Sequence, residues 1–278
     1  MEWVELALVE HVPTPGEIVH ATETWELPAG GGPGAAVQMG KLAGEPGLFL
    51  TALGDDDLGH RAERELERLE LRAEVVFRPD HQRRAFTFID ARGERTITVI
   101  GERMGPHGSD PLPWERLAEC DAVYFTAGDR AALRAARKGK VLVATSRVFP
   151  LLVEAGVELD ALVRSSRDPD EPFVEGAIDP PPRLVVSTAG PGGGTYEGAE
   201  GRTGAWAAAP VPGPVVDTYG AGDSFAGALT FALGAGMDVD EALALAARCG
   251  AACLTGRGPY EGQLTRAEID AGPSRSTP

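Results

Sequence analysis

No apolar run in this 278-residue chain approaches the ~20 residues that a membrane-spanning helix needs, and the longest, such as Val141-Leu-Val-Ala144, have the length of a strand. Membrane insertion is therefore excluded from the reading. Cysteine is scarce as well: Cys120, Cys249 and Cys253 are an odd set, too few for a disulfide framework in a chain this long, which fits a reducing compartment. Cys249 and Cys253 stand one helical turn apart, as two metal ligands would, yet no His or further Cys lies near them, and core packing is the favoured role. Positive charge is also short. The 26 Lys and Arg against 42 Asp and Glu leave a formal charge of −16, which disfavours nucleic acid and anionic membrane surfaces as partners. A local anion site is not excluded, because backbone amides and a helix terminus can hold phosphate against a repulsive distant field. Repeats of fixed period are missing. The start, Met1-Glu-Trp-Val-Glu5, lacks the basic and apolar regions of a secretory signal, so the expected location is cytoplasmic.

What is present is an ordinary globular composition, 43% hydrophobic and 24% charged, read as one domain over residues 1–278. Apolar runs at Leu48–Ala52, Ala122–Thr126, Val141–Ala144, Ala161–Val163 and Leu184–Thr188 have the character of buried parallel strands. Helical patterns lie between and after them. The stripe Leu58, Ala62, Leu66, Leu69 is capped by Asp55-Asp-Asp57, and further helices are expected over 130–137, after Ala221 and over 240–254. Alternation of strand and helix predicts a three-layer α/β/α sandwich with a mainly parallel central sheet and binding loops at the carboxyl ends of its strands. Two regions, about 3–30 and 84–101, break the alternation. The second reads as a hairpin turning at Ala91-Arg-Gly-Glu94, and together they predict a small β-sheet lid that would also serve as a homodimer contact. A frayed tail is expected over 267–278.

The most informative segment is Val215-Val-Asp-Thr-Tyr-Gly-Ala-Gly-Asp-Ser-Phe225, which reads as an apolar strand, a small-residue bend and a helix start. Amides at such a start point outward and hold oxyanions, and glycine lets a ligand approach. On residue type alone, Asp223 in the first helical turn reads as a cap rather than a base. The nonapeptide from Asp217 to Phe225, Asp-Thr-x-Gly-Ala-Gly-Asp-Ser-Phe, resembles the second signature of the ribokinase-like (PfkB) carbohydrate kinases. That resemblance implies Asp223 as general base, with the amides of Gly220, Ala221 and Gly222 as the anion hole. The chemistry is coherent, since an alcohol is a poor nucleophile and needs its proton accepted as it attacks phosphorus. Asp217 is implied to organise a monovalent-cation (K+) site, against a plain role as a turn cap. Thr188-x-Gly190-x-x-Gly193, at the end of a strand, resembles the family's ATP loop, where a hairpin turn is the bland alternative. Gly256-Arg-Gly258 falls where the family closes on adenine.

Near the N-terminus, Gly30-Gly-Gly-Pro-Gly34 and then Gly54-x-Asp-x-x-Gly59 resemble the first family signature, with Gly30, Gly31 and Gly32 under the substrate. The resemblance covers about residues 10–260. Three departures accompany it. Residues 28–44 hold no Asn for sugar hydroxyls, and the family's Asn-x-x-Glu, which serves Mg2+ and phosphate, aligns with Ser165-Ser-Arg-Asp168. Ser165 and Asp168 keep oxygen chemistry, although capping would equally suit Asp168. Counting back from Pro13-Thr-Pro-Gly16 puts Met1 inside the first expected strand and the family's substrate Asp near Val4, so translation is expected to start upstream, leaving Glu2 or Glu5 as hydroxyl contacts or solvated charges. The expected activity is ATP-dependent, Mg2+-requiring phosphorylation of a small sugar-like substrate, with a nucleoside kinase or a catalytically silent sugar- or nucleotide-binding regulator as alternatives. No convergent Lys/Arg cluster is visible in the sequence, which leans toward an unphosphorylated acceptor.

Overall fold

The computed structural model describes residues 1–271. Strand β1 (Glu2–Leu8) runs antiparallel to β2 (Glu23–Ala29), with Glu2 opposite Ala29 and Leu8 opposite Glu23. Its alternate residues Val4 and Leu6 pack with Ala29, Ala85, Ile89 and Tyr219, while Trp3 faces Leu53 and Ala62 on the other side. Helix α1 (Gly31–Ala43) starts on Gly30 and stops at Gly44, whose left-handed backbone (φ 76°) turns its N–H back to the Gly40 carbonyl. Strand β3 (Leu48–Gly54) leads to α2 (Asp57–Arg68), where Asp56 is the cap and accepts the Gly59 N–H at 2.9 Å. Strand β4 (Arg72–Arg78) pairs in parallel with β3, Leu48 opposite Arg72.

The expected hairpin forms as β5 (Arg84–Ile89) and β6 (Arg95–Ile100), its turn held by Asp90, whose carboxylate accepts the amides of Arg92 and Glu94. Strand β5 lies parallel to β1, so the four strands make one small sheet in the order β2-β1-β5-β6. This is the anticipated lid. Its edge strand β6 is exposed along its whole length.

Beyond it come β7 (Ala122–Phe125), α3 (Arg130–Ala136), β8 (Val141–Thr145), α4 (Phe149–Ala155), β9 (Ala161–Ser165), β10 (Leu184–Thr188), β11 (Gly194–Gly198), β12 (Thr203–Trp206), α5 (Ala221–Gly234), α6 (Val239–Cys253) and α7 (Arg266–Asp270). The strands form a six-stranded sheet in the order β12-β11-β10-β9-β8-β7, parallel from β7 to β10 and closed by two antiparallel strands. Side chains alternate across it. Val143, Val163 and Val186 pack with Phe225, Leu229 and Leu243 of α5 and α6, whereas Leu142, Leu162 and Val185 pack with Leu133 and Leu152 of α3 and α4. Truncating a fully buried member such as Leu162 to Ala would cost ~2–5 kcal/mol. The α/β/α sandwich expected from the sequence is therefore the architecture observed.

Three expectations change. The run Leu48–Ala52 is a parallel strand but lies outside the large sheet, paired only with β4. A cavity of about 450 Å³, lined by Leu48 to Thr51 on one side and Ala122 to Phe125 on the other, separates β3 from β7. Val215 and Val216 are not a strand. They are about half exposed in a loop, where the amides of Val216 and Asp217 both donate to the Leu254 carbonyl rather than to a strand. The first residues of the expected tail are helical, since Thr265 and Glu268 form a reciprocal capping box at the start of α7. The remaining expected tail, 272–278, lies outside the described residues.

Candidate active site

Helix α5 begins on Gly220, which takes φ 83° as its cap; a Cβ there would collide with Pro259, so only glycine fits. The N–H groups of Gly220, Ala221 and Gly222 have no acceptor among the described residues, and Gly222 is exposed. Three donors at a helix N-terminus are therefore left without a partner among the described residues, with open space around Gly222 and with Gly220 buried against Pro259. Asp217 is buried and both its oxygens are used: one accepts the Tyr219 N–H at 2.8 Å and the other the Gly258 N–H at 3.0 Å. The carboxylate thus acts as the turn cap and also ties the 217–220 bend to the loop carrying Gly256 and Gly258. Gly256 packs against the Gly262 backbone too closely for any Cβ, and Gly258 has φ +63°.

Asp223 stands in the first turn of α5, facing the start of α1. A Cβ on Gly31 would lie 3.2 Å from Asp223 Oδ1, and one on Gly34 would lie 2.9 Å from Asp223 Cβ. Gly34 of the first signature thus leaves room for the Asp223 side chain of the second, and Gly31 lets its carboxylate come close. Buried Gln263 locks the two helices, donating from Nε2 to the Gly34 carbonyl at 2.8 Å and to Ser224 Oγ at 3.0 Å. Burial pushes the Asp223 carboxyl up to about 6; Arg95 and Arg147 oppose the rise, and Glu171 and Glu2 add to it. Arg95 reaches in from the lid, donating to the carbonyl and hydroxyl oxygens of Thr218 at 3.0 Å, its guanidinium 5.9 Å over the Tyr219 ring.

The 188–193 turn follows β10, as expected. Its Ala189 N–H closes on the Gly193 carbonyl at 2.7 Å, Gly190 and Gly193 take φ +58° and +77°, and a Cβ on Gly193 would strike the Trp206 carbonyl. Thr188 Oγ1 donates to the Arg164 carbonyl, and the Thr188 carbonyl accepts from both the amide and hydroxyl of Ser166 at 2.9 Å. This turn is joined to residues 164–167 rather than to Asp223.

Two residues of the site were missed in the sequence. Glu171 accepts the Ser165 N–H at 2.5 Å and lies 3.0 Å from Arg147 Nε, with burial raising its carboxyl. Arg147 also pairs with Asp168. Both follow the carboxyl ends of parallel strands, β9 and β8, and that position was the available signal. Of the residues expected at the metal, Ser165 Oγ accepts the Arg167 N–H, and Asp168 shares a guanidinium with Glu171. Among the described residues no group of three or more His, Cys, Asp or Glu is placed to hold a metal ion. Glu2, expected at the substrate, lies 3.0 Å from Arg83 Nε and would touch a Cβ on Gly30.

Residues 158–266 match the model of the pfkB family carbohydrate kinases. The whole chain is similar to solved ribokinases: one from Thermotoga maritima (22% identity, TM-score 0.75, covering 97% of this chain and 95% of that one) and a putative one from Agrobacterium tumefaciens (23%, 0.77, 97% and 94%). It is also similar to a Burkholderia thailandensis nucleoside kinase solved with inosine (17%, 0.71, 97% and 94%). These likenesses show the fold.

Proposed function

We propose that this chain, which has the ribokinase fold and carries the pfkB family pattern over residues 158–266, transfers the γ-phosphoryl group of ATP to a hydroxyl of a sugar or related polyol. One observation carries the reading: a partly buried carboxylate with its pKa raised to about 6 stands beside three unengaged amides at the head of α5. Asp223 accepts the proton of the attacking hydroxyl, and near neutral pH it is ionised enough to do so. The amides of Gly220, Ala221 and Gly222 hold the oxygen charge of the transferring group. Thr188, Gly190 and Gly193 are proposed at the nucleotide phosphates, with Gly256 and Gly258 at the adenine side, and Gly30, Gly31, Gly32 and Glu2 under the acceptor.

ATP supplies the phosphoryl group, and the open amides suit its phosphates. For Mg2+ the fit is poorer. Asp168 and Glu171 already share Arg147, so no step is assigned to a metal held by them, and none to K+ at Asp217, whose oxygens both accept amides. A nucleoside acceptor is the second reading, supported by the similarity to the inosine-bound kinase. The exposed apolar residues of β6, Ile97, Val99 and Ile100, support a homodimer through the lid, which sedimentation velocity tests. The activity itself is tested by ADP release across sugars, nucleosides and sugar phosphates, with Asp223→Asn as control. Failure of every acceptor to elicit ADP while nucleotide binds would instead support the silent regulator.

A further inference from the structure

Gly30, Gly31 and Gly32 make the first turn of α1, and each faces a different neighbour. An ideal Cβ at Gly30 would lie 3.3 Å from Glu2 Oε1, at Gly31 3.2 Å from Asp223 Oδ1, and at Gly32 3.0 Å from the Phe49 ring with Thr126 Oγ1 next at 3.6 Å. Two of those neighbours lead to arginines. Glu2 pairs with Arg83 at 3.0 Å, and the Thr126 carbonyl accepts from Arg103 Nη2 at 2.8 Å. Arg83 and Arg103 thus sit behind two of the side chains that border the start of α1, the end that Asp223 faces.

The two arginines differ in partnership. Arg83 meets a carboxylate, though its Nε and Glu2 Oε2 are buried and face each other without hydrogen-bond alignment. Arg103 has no carboxylate within ion-pair distance among the described residues; its one hydrogen bond there is to a neutral carbonyl. Its surroundings are net positive. Although the residue as a whole remains exposed, lost hydration lowers its pKa first, then Arg83 and Arg147, and these two cations outweigh Glu2. The Met1 ammonium is lowered to about 6 mainly by burial; Glu2 opposes the drop, and Arg103 and Arg83 add to it. Cations gathered at a substrate turn, in a chain of net charge −16, leave a local demand for an anion.

We propose that the acceptor is an anionic polyol, carrying a phosphate monoester or a carboxylate that Arg103 and Arg83 hold across the Gly30–Gly32 turn from Asp223. The guanidinium fork suits either oxyanion. Anchoring the charge there would present a hydroxyl at the other end of the acceptor to Asp223. This rests on the kinase reading above, and it reverses the lean toward an uncharged acceptor, because the cluster comes from segments far apart in sequence.

The test compares D-fructose, D-fructose 6-phosphate and D-gluconate, by ADP release and by calorimetric titration, in the wild type, Arg103→Gln, Arg103→Lys and Asp223→Asn. The expected result is detectable binding and turnover for at least one anionic probe, with kcat/KM above that of fructose. Arg103→Gln should raise KM for that probe by about 10- to 100-fold, with a smaller change in kcat and unchanged ATP affinity, the size of a lost charged hydrogen bond. Arg103→Lys should restore part of the loss. The phosphate and carboxylate probes separate the two sources of charge. Preference for fructose, or absence of binding by both anionic probes, overturns the proposal. Anionic turnover that survives in Asp223→Asn overturns the assigned base and leaves the acceptor class standing.

Discussion

Replacing Asp223 by Asn keeps the side chain's shape beside Gly31 and Gly34 but removes its capacity to accept a proton, so turnover should fall by about 10²–10⁴ while ATP still binds. The wild-type pH profile provides the internal control. With the carboxyl raised to about 6, kcat/KM should climb with unit slope on the acid side, reach half its plateau near pH 6 and level off above about pH 7. Stability should move the opposite way. Because the folded-state pKa lies above the ordinary 3.8, the fold favours the protonated form; that contribution is complete below pH 3.8 and lost as pH rises through about 6. The difference, at 1.36 kcal/mol per unit, amounts to an upper figure of ~3 kcal/mol, since the carboxylate keeps some contact with solvent. Asn never ionises. Asp223→Asn should therefore be more stable than the wild type at alkaline pH, by up to about 3 kcal/mol, and nearly equal to it around pH 4. Coupled ADP assays across the pH range, with urea melts at both ends, measure both effects. Wild-type turnover in the variant, an acid limb centred well below pH 5, or a variant less stable at alkaline pH would refute the reasoning.

Gly34→Ala places a methyl 2.9 Å from Asp223 Cβ and must displace the base or α1, so steady-state kinetics should show kcat reduced by about 10-fold or more. Asp217→Ala leaves the Tyr219 and Gly258 amides without their acceptor, and chemical denaturation should register a loss of ~1–3 kcal/mol for each donor left buried. Arg147→Gln removes a cation that holds the Asp223 pKa down, so the acid limb of the pH profile should shift upward, with a lower melting temperature because Glu171 and Asp168 lose their shared partner. Gln263→Leu should destabilise by ~1–3 kcal/mol and lower kcat, since Gly34 and Ser224 lose the donor that locks α1 to α5.

Local chemistry is legible in the residues themselves. A glycine that must take φ 83°, an Asp in the first turn after it and an apolar helix behind leave a pattern within nine residues, and the run lengths of β7 to β10 state directly that those strands are buried on both faces. The same holds for the hairpin at Asp90 and the cap at Asp56, where each side chain bonds to an amide a few positions away. What tertiary structure alone decided is which distant residues share the space around Asp223. Glu171 and Arg147 follow different strands, Arg95 comes from the lid hairpin, and Gly31 belongs to another helix. Only Glu171 and Arg147 carry a sequence signal, their place after a parallel strand, and it does not say that they meet at Asp223. Coulomb interaction and steric clearance depend on distance through space, so the composition could report that the chain is acidic, while only the fold could bring Arg95 and Arg147 to Asp223 and Arg83 to Arg103.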